Sequence, residues 1–231
     1  MNKNLRTVPL YGNIKPKSDK KHRFDESLLF QKEMHYAILI KRLKVYFGNN
    51  KKGNKTLLGI EASYVNYLNG QKVEGKYVGG EKVGDNIEIK EIIMKENEYI
   101  NNCELDFDNC ITYFKIMTSK GNELEVGERP EKVKIFINFE GDNMIQFFWG
   151  DYENDDGINA IAFKYISRKN FIFGTIIPIL WLRFKINHEK DFKKKLEKIY
   201  QQQLIKNLSM IYLYRVCLLP EAIFSRIIKY C

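Results

Sequence analysis

Met144-Ile-Gln-Phe-Phe-Trp-Gly-Asp-Tyr-Glu-Asn-Asp-Asp-Gly-Ile-Asn-Ala-Ile-Ala-Phe-Lys-Tyr-Ile166 decides the fold. Two apolar, β-branched and aromatic runs, 144–149 and 158–166, flank a polar loop rich in Asp and Asn, which is the pattern of a hairpin with a solvated turn. Both runs are too short for a buried helix of ordinary length. Working outward, the same grammar repeats. Strands are expected at 36–47, 57–67, 86–94, 99–107, 111–118, 123–126 and 132–139. Turn chemistry separates them: Gly48-Asn-Asn, Asn69-Gly70, Gly79-Gly80, Asp108-Asn109, Lys120-Gly121-Asn122 and Gly141-Asp142-Asn143. No helical periodicity alternates with these strands. The reading is therefore mainly β, a barrel, sandwich or prism, and not a series of βαβ units.

The two ends of the chain differ from this middle. Residues 1–26 are rich in Asn and Lys, contain Pro9 and Pro16, and show no period, so they read as a basic extended arm that orders on a partner. After about residue 183 the spacing becomes helical. Phe192, Leu196, Ile199, Leu204 and Leu208 recur at threes and fours opposite Lys190, Lys193, Lys194, Lys195 and Lys198, which predicts an amphipathic helix over 188–216. Pro220 then opens a shorter helix over 220–230. The apolar run 171–182 is about a dozen residues, short of the roughly 20 that span a bilayer as a helix. The division is an arm over 1–26, a β domain over 27–170, and an apolar segment with a helical tail over 171–231.

The net charge of +9 follows this division. It is +4 over 1–26, +7 over 183–231 and −2 over the middle, so the basicity belongs to the ends. A nucleic-acid-binding body would carry the charge itself, and nucleic acid is not expected as a partner. The N-terminus lacks an apolar run of secretory length, which predicts an intracellular chain, cytoplasmic or cytoskeletal. Cys103, Cys110, Cys217 and Cys231 form no metal-binding spacing and read as free thiols.

Catalytic chemistry has no candidate in the pattern. The three histidines, His22, His35 and His188, stand apart from carboxylates and cysteines at relay or ligand spacing, so neither a metal nor a cofactor is expected. Gly79-Gly80-Glu-Lys-Val-Gly84 superficially matches a phosphate loop, but a strand follows it where a P-loop needs Gly-Lys-Ser/Thr and a helix. The acidic loop Asp151, Glu153, Asn154, Asp155, Asp156 has two readings: oxygen ligands for a cation or sugar hydroxyls, or a solvated hairpin end.

The order of motifs adds a further reading. Ile60-Glu-Ala-Ser-Tyr-Val-Asn-Tyr-Leu-Asn-Gly70, Val78-Gly79-Gly80, Glu98-Tyr99-Ile100, Ile111-Thr-Tyr-Phe-Lys-Ile-Met-Thr-Ser-Lys-Gly121, Val126-Gly127, Phe147-Phe-Trp-Gly150 and Ile158-Asn-Ala-Ile-Ala-Phe163 follow one another as in jacalin-type lectins. Over residues 24–166 the chain resembles that domain. The resemblance implies a jacalin-like β-prism of three antiparallel sheets, a non-catalytic protein, and a metal-free sugar site where the Gly-rich start of the domain meets the loop before the last strand. Carried onto this chain, the carbohydrate-binding candidates are Gly150, Asp151, Asp155, Asp156 and Asn159.

Two departures stand out. Asn159 occupies the position of the sugar-binding Asp and lacks its charge. The stretch Lys15-Pro-Lys-Ser-Asp-Lys-Lys-His-Arg23, ahead of Phe24, lacks the expected glycines. The expectation is a degraded sugar site on a protein-interaction or scaffold subunit of a larger assembly. Its partner-binding face would be Phe192, Leu196, Ile199 and Leu208. An active lectin binding glycan, and basic ends attached to an acidic filament, a membrane or nucleic acid, are the alternatives.

Overall fold

The computed structural model describes residues 6–12, 21–30, 35, 37–67, 70–82, 86–139, 143–168 and 170–171. The expected helices over 188–216 and 220–230, with Phe192, Leu196, Ile199 and Leu208, lie outside the described residues.

Fourteen strands are present among them: β1 (Arg6–Thr7), β2 (Tyr11–Gly12), β3 (Lys21–Asp25), β4 (Ile38–Asn49), β5 (Lys55–Asn66), β6 (Lys72–Glu74), β7 (Val78–Gly79), β8 (Glu88–Ile93), β9 (Ile100–Phe107), β10 (Ile111–Thr118), β11 (Glu123–Gly127), β12 (Ile135–Asn138), β13 (Asn143–Glu153) and β14 (Gly157–Ser167). They form three antiparallel sheets. The first runs β1-β14-β13-β3, with β2 also on β14. The second runs β6-β5-β4-β8, with β7 also on β5, and the third runs β11-β10-β9-β12. Their inner faces share one core, in which Phe114, Phe147, Phe148, Phe163, Tyr64, Leu43, Leu57 and Ile60 are fully buried.

All nine strands read from the pattern are found, with ends shifted by a few residues. The five unread strands are β1, β2, β3, β6 and β7. β1, β2, β6 and β7 are two or three residues, too short to show alternation, and β3, Lys21-His-Arg-Phe-Asp25, carries one apolar residue; three of the five come from residues 1–26. The described parts of that segment pair with β13 and β14 of the chain's own domain, so they are not left waiting for a partner. The reason is that a β13–β14 hairpin alone would leave both its edges open.

Each sheet carries the same local device. Its central hairpin has two β-bulges, and at one of them Asn159 in β14, Leu58 in β5 and Thr112 in β10 are each skipped by the register. Beside each bulge a glycine at positive φ, respectively Gly12, Gly79 and Gly127, lies so close that an added Cβ would sit 2.2 Å from the bulged residue's carbonyl oxygen. Side chains do not tolerate that contact. Gly79→Ala is expected to lower unfolding stability by about 2 kcal/mol or more. Gly121→Ala, at positive φ but with open space around it, should lose about 1 kcal/mol. Denaturant melts of the two variants check the difference.

A second apolar cluster, Leu39, Met144 and Ile166, lies apart from the main core, with Tyr99 and Phe171 packed on it. Phe171 also meets the Tyr67 ring edge-on, with centroids 5.5 Å apart. The apolar run that begins at residue 171 therefore starts against the domain.

Candidate functional site

The β13–β14 hairpin supplies every carbohydrate-binding candidate. Its bulge places Asn159 between Ala160, which pairs with Asp151, and Ile158, which pairs with Tyr152. Bulges re-aim side chains, and this one turns Asn159 out of the strand's alternation. The residue is 1% exposed, and among the described residues neither Oδ1 nor Nδ2 has a hydrogen-bond partner. Gly12 crosses directly beside it, paired with Ala160. The glycine that approaches the site is thus Gly12, upstream of the Lys15-to-Arg23 stretch in which the sequence reading sought it.

The acidic candidates are engaged by the chain's own cations. Asp151 is 1% exposed beneath β3 and receives Lys21 Nζ at 2.9 Å and Arg23 Nε at 3.2 Å. Lys51 Nζ lies 2.9 Å from Asp155 and 2.9 Å from Glu81, and these bonds raise its pKa above the ordinary lysine value. Lys52 Nζ lies 2.7 Å from buried Asp156, which likewise raises the lysine's pKa. Backbone bonds reinforce the clamp. The Lys51 N–H donates to the Asp155 carbonyl at 3.2 Å, and the Glu81 N–H donates to the Asn154 carbonyl at 2.8 Å. Gly80 presses against this loop so closely that an added Cβ would lie 2.8 Å from Gly157 Cα.

Gly150 has a different job. It pairs with Phe24 and Ile161, and an added Cβ would meet the Phe24 ring at 3.0 Å, so it admits an aromatic ring to the core. The structure therefore brings Asp151 and Asn159 onto neighbouring strands, puts Asp155 and Asp156 on the turn, and leaves Gly150 as a packing residue. Sequence reasoning missed Gly12, Lys21, Lys51 and Lys52. A signal for the lysine pair was available: Lys51-Lys52 and Asp155-Asp156 are complementary dipeptides on two hairpin turns. Among the described residues no group of three or more His, Cys, Asp or Glu is placed to hold a metal ion.

Several solved structures resemble this one in shape. The Malaysian banana lectin has 18% sequence identity and a TM-score of 0.51, covering 71% of this chain and 99% of that chain. A mannose-binding lectin from champedak has 14% identity and a TM-score of 0.52, with the same coverage. The Calystegia sepium agglutinin has 14% identity and a TM-score of 0.50, covering 71% of this chain and 98% of that one. No family model matches the sequence, and no curated protein matches it.

Proposed function

We propose, from the premise that this domain is a jacalin-like β-prism, that it is a non-catalytic binding module with a degraded sugar site, acting as a protein-interaction subunit of a larger intracellular assembly. One observation carries the reading: the Asn159 amide is 1% exposed at the position that would face a sugar. A hexose is recognised by charged or amide groups that reach its hydroxyls from the wall of an open pocket. Here the charge of an Asp is missing, and the neighbouring carboxylates are already paired with Lys21, Arg23, Lys51 and Lys52.

A second reading, an active lectin, has its own support. Among the described residues both polar atoms of Asn159 are buried without partners, a costly arrangement that a ligand's hydroxyls would relieve. Mannose-binding neighbours share the shape.

Two measurements separate these readings. The full chain is expected to pass unretarded through mannose and galactose resins and to give no signal on a glycan array; binding that disappears in Asn159→Ala would establish the lectin reading instead. A pull-down from the native source with size analysis is expected to return stoichiometric protein partners. Elution as a lone monomer would count against the subunit role. Steep salt dependence that vanishes on trimming residues 183–231 would point to attachment through the basic ends.

A further inference from the structure

The outer face of the β6-β5-β4-β8 sheet holds a feature unconnected with Asn159. Tyr46 of β4 and Tyr77, between β6 and β7, meet edge to face, with centroids 5.0 Å apart and planes at 89°. Two perpendicular rings make two walls of a slot. Gly59 allows this: it pairs with Tyr46 on β4, and Tyr77 covers it so closely that an added Cβ would lie 2.4 Å from the ring. Both hydroxyls are pinned. Tyr46 donates to Glu61 Oε2 at 3.0 Å, and Tyr77 donates to the Gly80 carbonyl at 2.8 Å. The ring faces are therefore fixed before any ligand arrives, which lowers the ordering cost of binding.

A cation already occupies the slot. Lys82 Nζ lies 3.7 Å from the Tyr46 centroid and 4.1 Å from the Tyr77 centroid. Among the described residues no carboxylate forms an ion pair with Lys82, and the nearby Glu61 is bonded to Arg42 at 2.8 Å. Lys82 thus meets the slot through the two ring faces, while the Glu61 carboxylate at its edge is engaged by Arg42 and the Tyr46 hydroxyl. That selects the kind of cation. A small, strongly hydrated metal ion needs oxygen ligands to replace its water, whereas an alkylammonium ion sheds water readily and prefers aromatic faces.

We propose that Tyr46 and Tyr77 form a binding site for alkylammonium groups, which Lys82 occupies from within the same chain. Lys82 is tethered next to the slot and competes at high effective concentration, so the apparent affinity of the intact chain is reduced by the fraction of time the slot is filled. Removing the Lys82 ammonium opens it. Because Tyr77 bonds to Gly80 and Glu81 bonds to Asn154, the slot borders the clamp around the acidic loop.

The test titrates tetramethylammonium chloride into the full chain, followed by NMR or calorimetry against sodium chloride at equal ionic strength. Lys82→Ala is expected to bind saturably, roughly tenfold or more tighter than the unaltered chain. Lys82→Gln should behave the same way, and serves as the opening variant if the alanine variant fails to fold. Adding Tyr77→Ala to either should abolish binding, and adding Tyr77→Phe should preserve it because the ring face remains. Choline should compete with the probe, and magnesium should not. The proposal is overturned if neither Lys82 variant shows saturable binding beyond the sodium control, or if loss of the Tyr77 ring leaves binding intact in a folded protein.

Discussion

Asp151→Ala is expected to destabilise the domain by about 3–5 kcal/mol, a loss large enough to leave much of the chain unfolded at ordinary temperature. The cause is the position of its partners. Lys21 is 7% exposed at the side chain and Asp151 2%, so truncating the acid removes a close counter-charge from an ammonium in a space that water barely enters. Arg23, which is mostly exposed, turns to solvent and loses little. Replacing both members of the buried pair by apolar residues should restore part of the loss, because breaking a buried pair costs more than exchanging it for apolar packing. Denaturant unfolding of the single and double variants measures this directly. The result also bears on function. A residue whose removal unfolds the sheet gives no clean test of sugar recognition, which is why Asn159 is the residue to change for that purpose.

The second large effect is a dependence of stability on pH, centred on Glu26. This carboxyl is buried between Tyr64, whose hydroxyl donates to Oε2, and the Phe148 N–H, which donates to the same oxygen at 3.4 Å. Burial outweighs both bonds and raises the pKa from 4.5 to about 7. In the unfolded chain the group ionises near its ordinary value. Between pH 4.5 and 7 the folded form therefore holds a proton that the unfolded form releases, and stability falls as pH rises through that window. The total loss is about 3 kcal/mol, complete by about pH 8. Glu26→Gln keeps an acceptor toward Tyr64 and removes the titration. It should flatten the stability profile between pH 5 and 8 and be more stable than the parent at pH 8. A parent profile that is flat or rises across that range would refute the assignment.

Much of this architecture was legible from residue order. Nine strands announced themselves because apolar or alternating runs of four or more residues, bounded by Gly, Asn and Asp, leave little choice. The short strands β1, β2, β6 and β7 did not, since two or three residues carry no period; they are strands only because a neighbour's edge is there to pair with. For the site, the motif order led to Asn159, and the structure adds the bulge and the burial that motif order does not contain. The charges around the acidic loop were half legible. Four acids were counted in one segment, while the cations that pair with Asp151, Asp155 and Asp156 come from residues 21, 23, 51 and 52, brought together only by folding. The Tyr46 and Tyr77 slot had no sequence signature, because its two walls lie on separate stretches of chain 31 residues apart and only folding sets them at right angles.

One further consequence concerns time. The sheet that carries Asn159 joins strands from opposite parts of the chain: Arg23 meets Asp151 across a separation of 128 residues, and Arg6 pairs with Tyr165. The other two sheets are built from neighbours in sequence and need no such wait. On a ribosome β3 emerges early with no strand to receive it, and the slow closure of so long a loop comes last. The candidate site is thus expected to be the last part of the domain to form, which pulsed hydrogen exchange during refolding would show as late protection of β14. Until that closure the inner faces of the other two sheets lack their third wall, so an unclosed chain exposes apolar surface of the kind that promotes aggregation.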